Sequence, residues 1–124
     1  MCNKTIAFDL DDVICYRTSE LGDVEKYNTC EPHSKMIDIV NNCHDNGYKI
    51  IIYTSRGMTG FNGNTNDIYS NLYELTIKQL DNWGVKYHQL IMGKAHFDVL
   101  IDDKCLNSER INSAQDIFKF LNKE

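Results

Sequence analysis

Two carboxylates, Asp9 and Asp11, stand two residues apart where the apolar run Thr5-Ile6-Ala7-Phe8 gives out, and a third, Asp12, follows directly. The run reads as a buried strand. Side chains alternate across a strand, so Asp9 and Asp11 are expected on one side and Asp12 on the other. Two acids held side by side repel each other. They make chemical sense with a cation between them, or with one acid kept protonated for proton transfer. Three further runs also end in residues suited to phosphate or metal: Ile50-Ile51-Ile52-Tyr53 leads into Thr54-Ser55-Arg56-Gly57, a run over 85–92 into Gly93-Lys94, and Phe97-Asp98-Val99-Leu100-Ile101 into Asp102-Asp103-Lys104.

The elements that must position these residues follow from periodicity. The stretch 48–54 is β-branched and aromatic, too short for a helix and apolar on both faces, the pattern of a central parallel strand under helices. A first helix is expected over 32–46, with Pro32 at its start, Met36, Ile39, Val40 and Cys43 on its inner face, and Asn46-Gly47 as a left-handed stop. A second is expected over 68–83, its polar residues gathered on one face and Gly84 closing it; a third covers 113–122, with Ile111, Ala114, Phe118 and Leu121 inward. Residues 15–31 and 58–67 read as loops, and loops that long are often functional. Strands alternating with helices predict an α/β fold: a three-layer, Rossmann-like domain with a central, mainly parallel sheet of about four strands flanked by helices. In such sheets ligands gather at the carboxyl ends of the strands, which is where all four polar clusters lie.

Composition bounds the rest. A chain of 124 residues supports one core, so residues 1–124 are read as a single domain. With 42% hydrophobic and 25% charged residues it is an ordinary globular chain, and its net charge of -5 argues against a nucleic-acid partner. Cys2, Cys15, Cys30, Cys43 and Cys105 are scattered without a C-x-x-C pair, and read as reduced thiols acting as small buried apolar residues. His33, His44, His88 and His96 show no ligand spacing, so zinc is not expected. No signal-peptide pattern precedes the first strand and no apolar run is long enough for a bilayer, so a cytoplasmic protein without a membrane partner is expected.

The ordered set of Asp-x-Asp after a first strand, Thr after a second, then Lys, then Asp-Asp after a last strand resembles the four motifs of the haloacid dehalogenase superfamily of phosphatases, across 6–103. Within it, Ile52-Tyr53-Thr54-Ser55-Arg56-Gly57, Gly93-Lys94 and Ile101-Asp102-Asp103-Lys104 are similar to small phosphatase-like proteins found with capsule and surface polysaccharide genes. The resemblance implies a phosphate monoester hydrolase in which Asp9 attacks phosphorus to give an aspartyl-phosphate and Asp11 serves as general acid and base. Lys94 and Thr54, with Ser55 beside it, would hold phosphate oxygens. Magnesium would be bound by Asp9, the Asp11 carbonyl and one of Asp102 and Asp103, with a lean to Asp103. Arg56 is open between a phosphate contact and a surface role. Val13 departs from the family, where threonine is common. The intervals between motifs leave no room for a cap domain, so specificity is expected from 16–30, from 58–67 or from a neighbouring subunit of a homo-oligomer, and the substrate class favoured is a phosphorylated sugar or polyol. The alternatives are a receiver-like phosphoacceptor module, disfavoured because no Asp ends the mid-chain strand, a non-catalytic binding module, and a phosphatase acting on nucleic-acid ends or on protein.

Overall fold

The computed structural model describes residues 4–19, 22 and 25–122. In chain order its elements are β1 (Thr5–Phe8), β2 (Cys15–Tyr16), a 3-10 turn (Glu25–Thr29), β3 (Glu31–Pro32), α1 (Ser34–Asp45), β4 (Lys49–Thr54), α2 (Thr65–Asn82), β5 (Gln89–Met92), a second 3-10 turn (Ser108–Arg110) and α3 (Ala114–Leu121). The expected residue Cys2 and parts of the 15–31 connection lie outside the described residues.

The sheet is parallel and three-stranded, in the order β1-β4-β5, with Phe8 opposite Ile52 and Thr54 opposite Met92. Ile50, Ile52 and Thr54 on one face of β4 are buried, whereas Ile51 is half-buried and Tyr53 exposed on the other, so the central strand is sealed more fully on one side than its composition implies. Helix α1 buries Met36, Ile37, Ile39, Val40 and Cys43, packing on β4 and against α3. Helix α2 packs against β5 and buries Ile68, Leu72 and Leu80. Leu10, Ile14, Ile50, Ile52 and Leu80 are wholly out of solvent at the centre of the core. At about 25 cal/mol per Å² of apolar area, each such side chain contributes roughly 1.5–3 kcal/mol on burial.

Helix boundaries are set by side-chain caps that periodicity does not see. Helix α1 begins at Ser34, not Pro32, because Glu31 and Pro32 pair antiparallel with Tyr16 and Cys15 while the His33 Nδ1 accepts the Met36 N–H at 3.2 Å. Helix α2 begins at Thr65, three residues ahead of expectation, because the Asn64 side-chain oxygen accepts the Asp67 N–H. Gly47 and Gly84, at φ 91 and 71, end α1 and α2 as expected.

The expected fourth strand is not formed. Residues 97–101 carry no strand pairing, with Val99 72% and Ile101 92% exposed. Among the described residues β1 is hydrogen-bonded to β4 only, so its other edge is open. A cleft of about 720 Å³ separates that edge from the 97–107 segment and α3. Apolar alternation is a local signal, but a strand exists only through its partner, and here the segment stands away from the edge it would pair with.

Candidate functional site

The carboxyl ends of β1, β4 and β5 open on one side of the molecule, as a parallel sheet requires, and two clusters of polar side chains are built there. The outer cluster faces the cleft. The Lys94 backbone N–H donates to the Thr54 carbonyl at 3.0 Å just past β5, and this fixes where its side chain starts. From there Lys94 Nζ reaches Asp9 Oδ2 at 3.3 Å, while the Leu10 N–H donates to Asp9 Oδ1 at 2.8 Å. The Asp9 side chain remains 34% exposed, so the pair is open to a solute. Asp9, Lys94, Tyr53 and Asp102 all line the cleft; Asp103 does not, and its carboxylate lies near Lys104 at 3.6 Å. The Lys104 N–H donates to Asp102 Oδ1 at 3.0 Å, and this bond, with Asp103 beside it, holds the Asp102 carboxyl below the ordinary aspartate range. Asp102 rather than Asp103 therefore shares the cleft with Asp9.

The inner cluster lies on the other side of the strand ends. Asp11 and Asp9 do not share a face: β1 ends at Phe8, and the Val13, Ile14 and Cys15 N–H groups all turn back onto the Leu10 carbonyl. Period-two alternation therefore stops before Asp11. Asp12 takes a left-handed φ of 69 in this turn and pairs with Arg17 at the surface. The Asp11 carboxylate turns inward and is gripped through both oxygens by Arg56, Nη2 to Oδ1 at 2.8 Å and Nε to Oδ2 at 3.1 Å.

Arg56 is thus neither at the surface nor turned to a phosphate. Its side chain is fully out of solvent, with Nη1 donating to Gln79 Oε1 at 2.6 Å and to Thr76 Oγ1 at 3.1 Å, and its guanidinium stacked over the Tyr27 ring at 4.8 Å. Burial works against the charge, but the Asp11 bonds outweigh it and hold the guanidinium above its ordinary value. Thr54 is also interior: alternation along β4 puts it with Ile50 and Ile52, leaves Tyr53 on the cleft side, and its Oγ accepts the Arg56 N–H at 3.0 Å. Ser55 is half-buried in the turn after β4, where its carbonyl accepts the Met58 N–H. Of the residues expected to share one site, then, Asp9, Lys94 and Asp102 come together in the cleft and Asp11, Thr54 and Arg56 in the interior behind it.

Asp11, Cys15 and Cys30 place a carboxylate oxygen and two sulfurs within 4.8 Å of one another, a set that could hold a soft metal ion. A cation already stands there, because Arg56 Nη2 lies 3.6 Å from the Cys30 sulfur and 3.7 Å from that of Cys15. The hydrogen bond from Cys15, helped by Arg56, holds the Cys30 thiol below its ordinary value, whereas the same bond and burial push Cys15 up.

Tyr27, Thr76 and Gln79 are the residues sequence reasoning missed. Tyr27 lies in a stretch without period; its hydroxyl accepts the Gly57 N–H and its carbonyl accepts from Gln79, so one tyrosine ties the long loop to β4 and α2. Thr76 and Gln79 did carry a signal, being polar residues on the inward side of α2 beside Leu72 and Leu80.

Fold and geometry together define a small α/β protein whose parallel three-stranded sheet, flanked by helices, gathers charged side chains at its strand ends. No family model and no curated protein matches the chain. Among solved structures it is similar to the crystal structure of a structural-genomics target from Vibrio cholerae, with a TM-score of 0.80 at 23% identity over 98% of this chain and 99% of that one. At that identity the likeness is one of fold. No helix among the described residues is long and apolar enough to cross a membrane.

Proposed function

We propose that the protein is a magnesium-dependent phosphatase of the haloacid dehalogenase type, acting on a small phosphate monoester of the sugar or polyol class. The observation that carries it is the solvent-reachable Asp9–Lys94 pair at the ends of two parallel strands, in a cleft that also receives Asp102. Asp9 Oδ2 is the atom that would attack phosphorus, forming the aspartyl-phosphate as the ester oxygen departs. Lys94, already at the nucleophile, would hold the oxygens of the phosphoryl group as charge spreads over them. The cleft's donors fit a hard ion, being carboxylate oxygens from Asp9 and Asp102, and magnesium bound by them would neutralise phosphate charge.

Two adjustments complete the site. For Asp11 to hand a proton to the leaving group, its carboxylate must turn out of the Arg56 guanidinium, which holds both its oxygens. Seating 97–101 on the open edge of β1 as a fourth strand would cover Val99 and Ile101 and bring Asp102 up beside Asp9. Thr54 and Arg56 are buried behind the cleft, where they shape the turn after β4.

A second reading, a non-catalytic anion-binding module, draws on the same Arg56–Asp11 pair, which keeps the expected general acid and base turned away from the cleft. A panel of phosphate monoesters assayed with magnesium, beside Asp9→Asn, separates the two. Phosphate release by the wild type from at least one sugar or polyol phosphate, falling to background in the variant, is the expected result. Binding of phosphate without turnover of any ester would select the second reading, and equal release by both proteins would end the first.

A further inference from the structure

We infer that Cys15 and Cys30 form a peroxide-oxidisable dithiol that governs the position of Asp11. The two sulfurs lie within 4.8 Å of each other and against the same Asp11 oxygen, Oδ1, at 3.5 and 3.8 Å. They face one way because Cys15 pairs with Pro32, and Cys30, two residues before Pro32, returns to the same side of the small β2–β3 ladder. That ladder is only two residues long on each strand, so little backbone hydrogen bonding resists a shift. A disulfide needs the sulfurs about 2.05 Å apart with Cα atoms roughly 4.4–6.8 Å apart, so forming it draws this diagonal pair together and shifts the ladder.

Exposure assigns the order of events. Cys30 is half-buried and reachable by a small oxidant, whereas Cys15 is fully enclosed. The Cys30 sulfur attacks one oxygen of hydrogen peroxide, the O–O bond breaks, and Cys30 becomes a sulfenic acid as water leaves. The Cys15 sulfur then attacks the Cys30 sulfur, the S–O bond breaks, and a second water leaves with the thiol proton. Overall two thiols lose two protons and two electrons, and one peroxide becomes two waters. An added dithiol reverses the change by exchange.

The consequence reaches Asp11 through the chain itself. Cys15 closes the turn that carries Asp11, its N–H on the Leu10 carbonyl and its carbonyl accepting the Asp12 N–H at 2.7 Å. Both sulfurs also contact Arg56 Nη2, the group that clamps Asp11 Oδ1. Drawing them together therefore moves the turn and the clamp at once. The effect on turnover rests on the phosphatase reading; the disulfide itself does not.

The test treats the folded protein with hydrogen peroxide and maps it by tryptic digestion without reductant, beside phosphate release from the best ester and magnesium. A disulfide joining the peptides 5–17 and 27–35 is expected, with turnover falling by on the order of tenfold or more and returning with dithiothreitol. Cys30→Ser, at a half-buried position, should keep its turnover under the same peroxide. Absence of the 5–17 to 27–35 link, or its appearance only in unfolded protein, would overturn the dithiol. A link that forms while turnover stays unchanged would overturn the control of Asp11. A protein with no turnover before oxidation defeats the phosphatase reading, and the link is then judged by mapping alone.

Discussion

At the residue scale the molecule is organised around a cation of its own. Arg56, its own side chain fully out of solvent, reaches the carboxylate of Asp11, two sulfurs, an aromatic face, a hydroxyl and an amide oxygen. Removing one partner of such a pair strands the other, which typically costs about 3–5 kcal/mol. Arg56→Ala is therefore expected to lower unfolding free energy by that order in urea titration, whereas Arg17→Ala, at an exposed pair with Asp12, should change it by under about 1 kcal/mol. Equal small effects would show that the buried clamp carries no stability. The chemistry-bearing residue types were legible in the sequence, but their division was not. Asp9 and Lys94 meet as their strand-end positions imply. Asp11 and Thr54 part from them because the face a residue takes depends on where the strand stops and on which parity of β4 is buried, and neither is written in a motif.

At the scale of the element, turns and caps decide what periodicity leaves open. Helices and strands showed in the spacing of apolar residues, while their starts moved by two or three positions to satisfy His33 and Asn64. Gly57 opens the passage from β4 to α2 at φ 84, and a Cβ there would meet Leu72 Cδ1 at 2.6 Å. Gly57→Ala combines a left-handed backbone with that overlap, and a loss of about 1–3 kcal/mol is expected by thermal or urea unfolding; a neutral result would mean that the turn yields. Helix α3 is held at its start by Asp116, whose carboxylate accepts the Asn112 N–H at 2.8 Å, and that bond holds its carboxyl below the ordinary value of 3.8. Between the folded and unfolded values the unfolded chain binds more protons, so the contribution is whole above the unfolded value and fades as pH falls through the folded one. Far-UV circular dichroism of the wild type should accordingly show helix fraying on acidification below about pH 4, with Asp116→Ala already frayed at pH 7. Identical acid profiles for the two proteins would remove Asp116 from that role.

At the scale of the whole molecule, the proposed phosphatase would take the apolar segment at 97–101 onto the open edge of β1. Seating that segment as a fourth strand would protect the chain after Lys104, whose side chain is 83% exposed. Tryptic cleavage at Lys104 is expected to slow when magnesium and orthovanadate are present together, and an unchanged rate would mean that the segment does not close over the cleft. The layered α/β plan was readable because strand and helix periods alternate along the chain, whereas sheet width was not, since an edge strand is fixed by pairing and not by its own pattern. The same dependence on distant partners sets how the chain must assemble. Arg56 finds its acceptors 45 residues back at Asp11 and 20 and 23 residues ahead at Thr76 and Gln79. None of these bonds is local, so until β1, β4 and α2 have come together a guanidinium driven into the interior would be uncompensated. Collapsed arrangements with a strand out of place are thereby penalised, and Arg56 acts as a proofreader of topology during folding as well as a clamp in the finished protein.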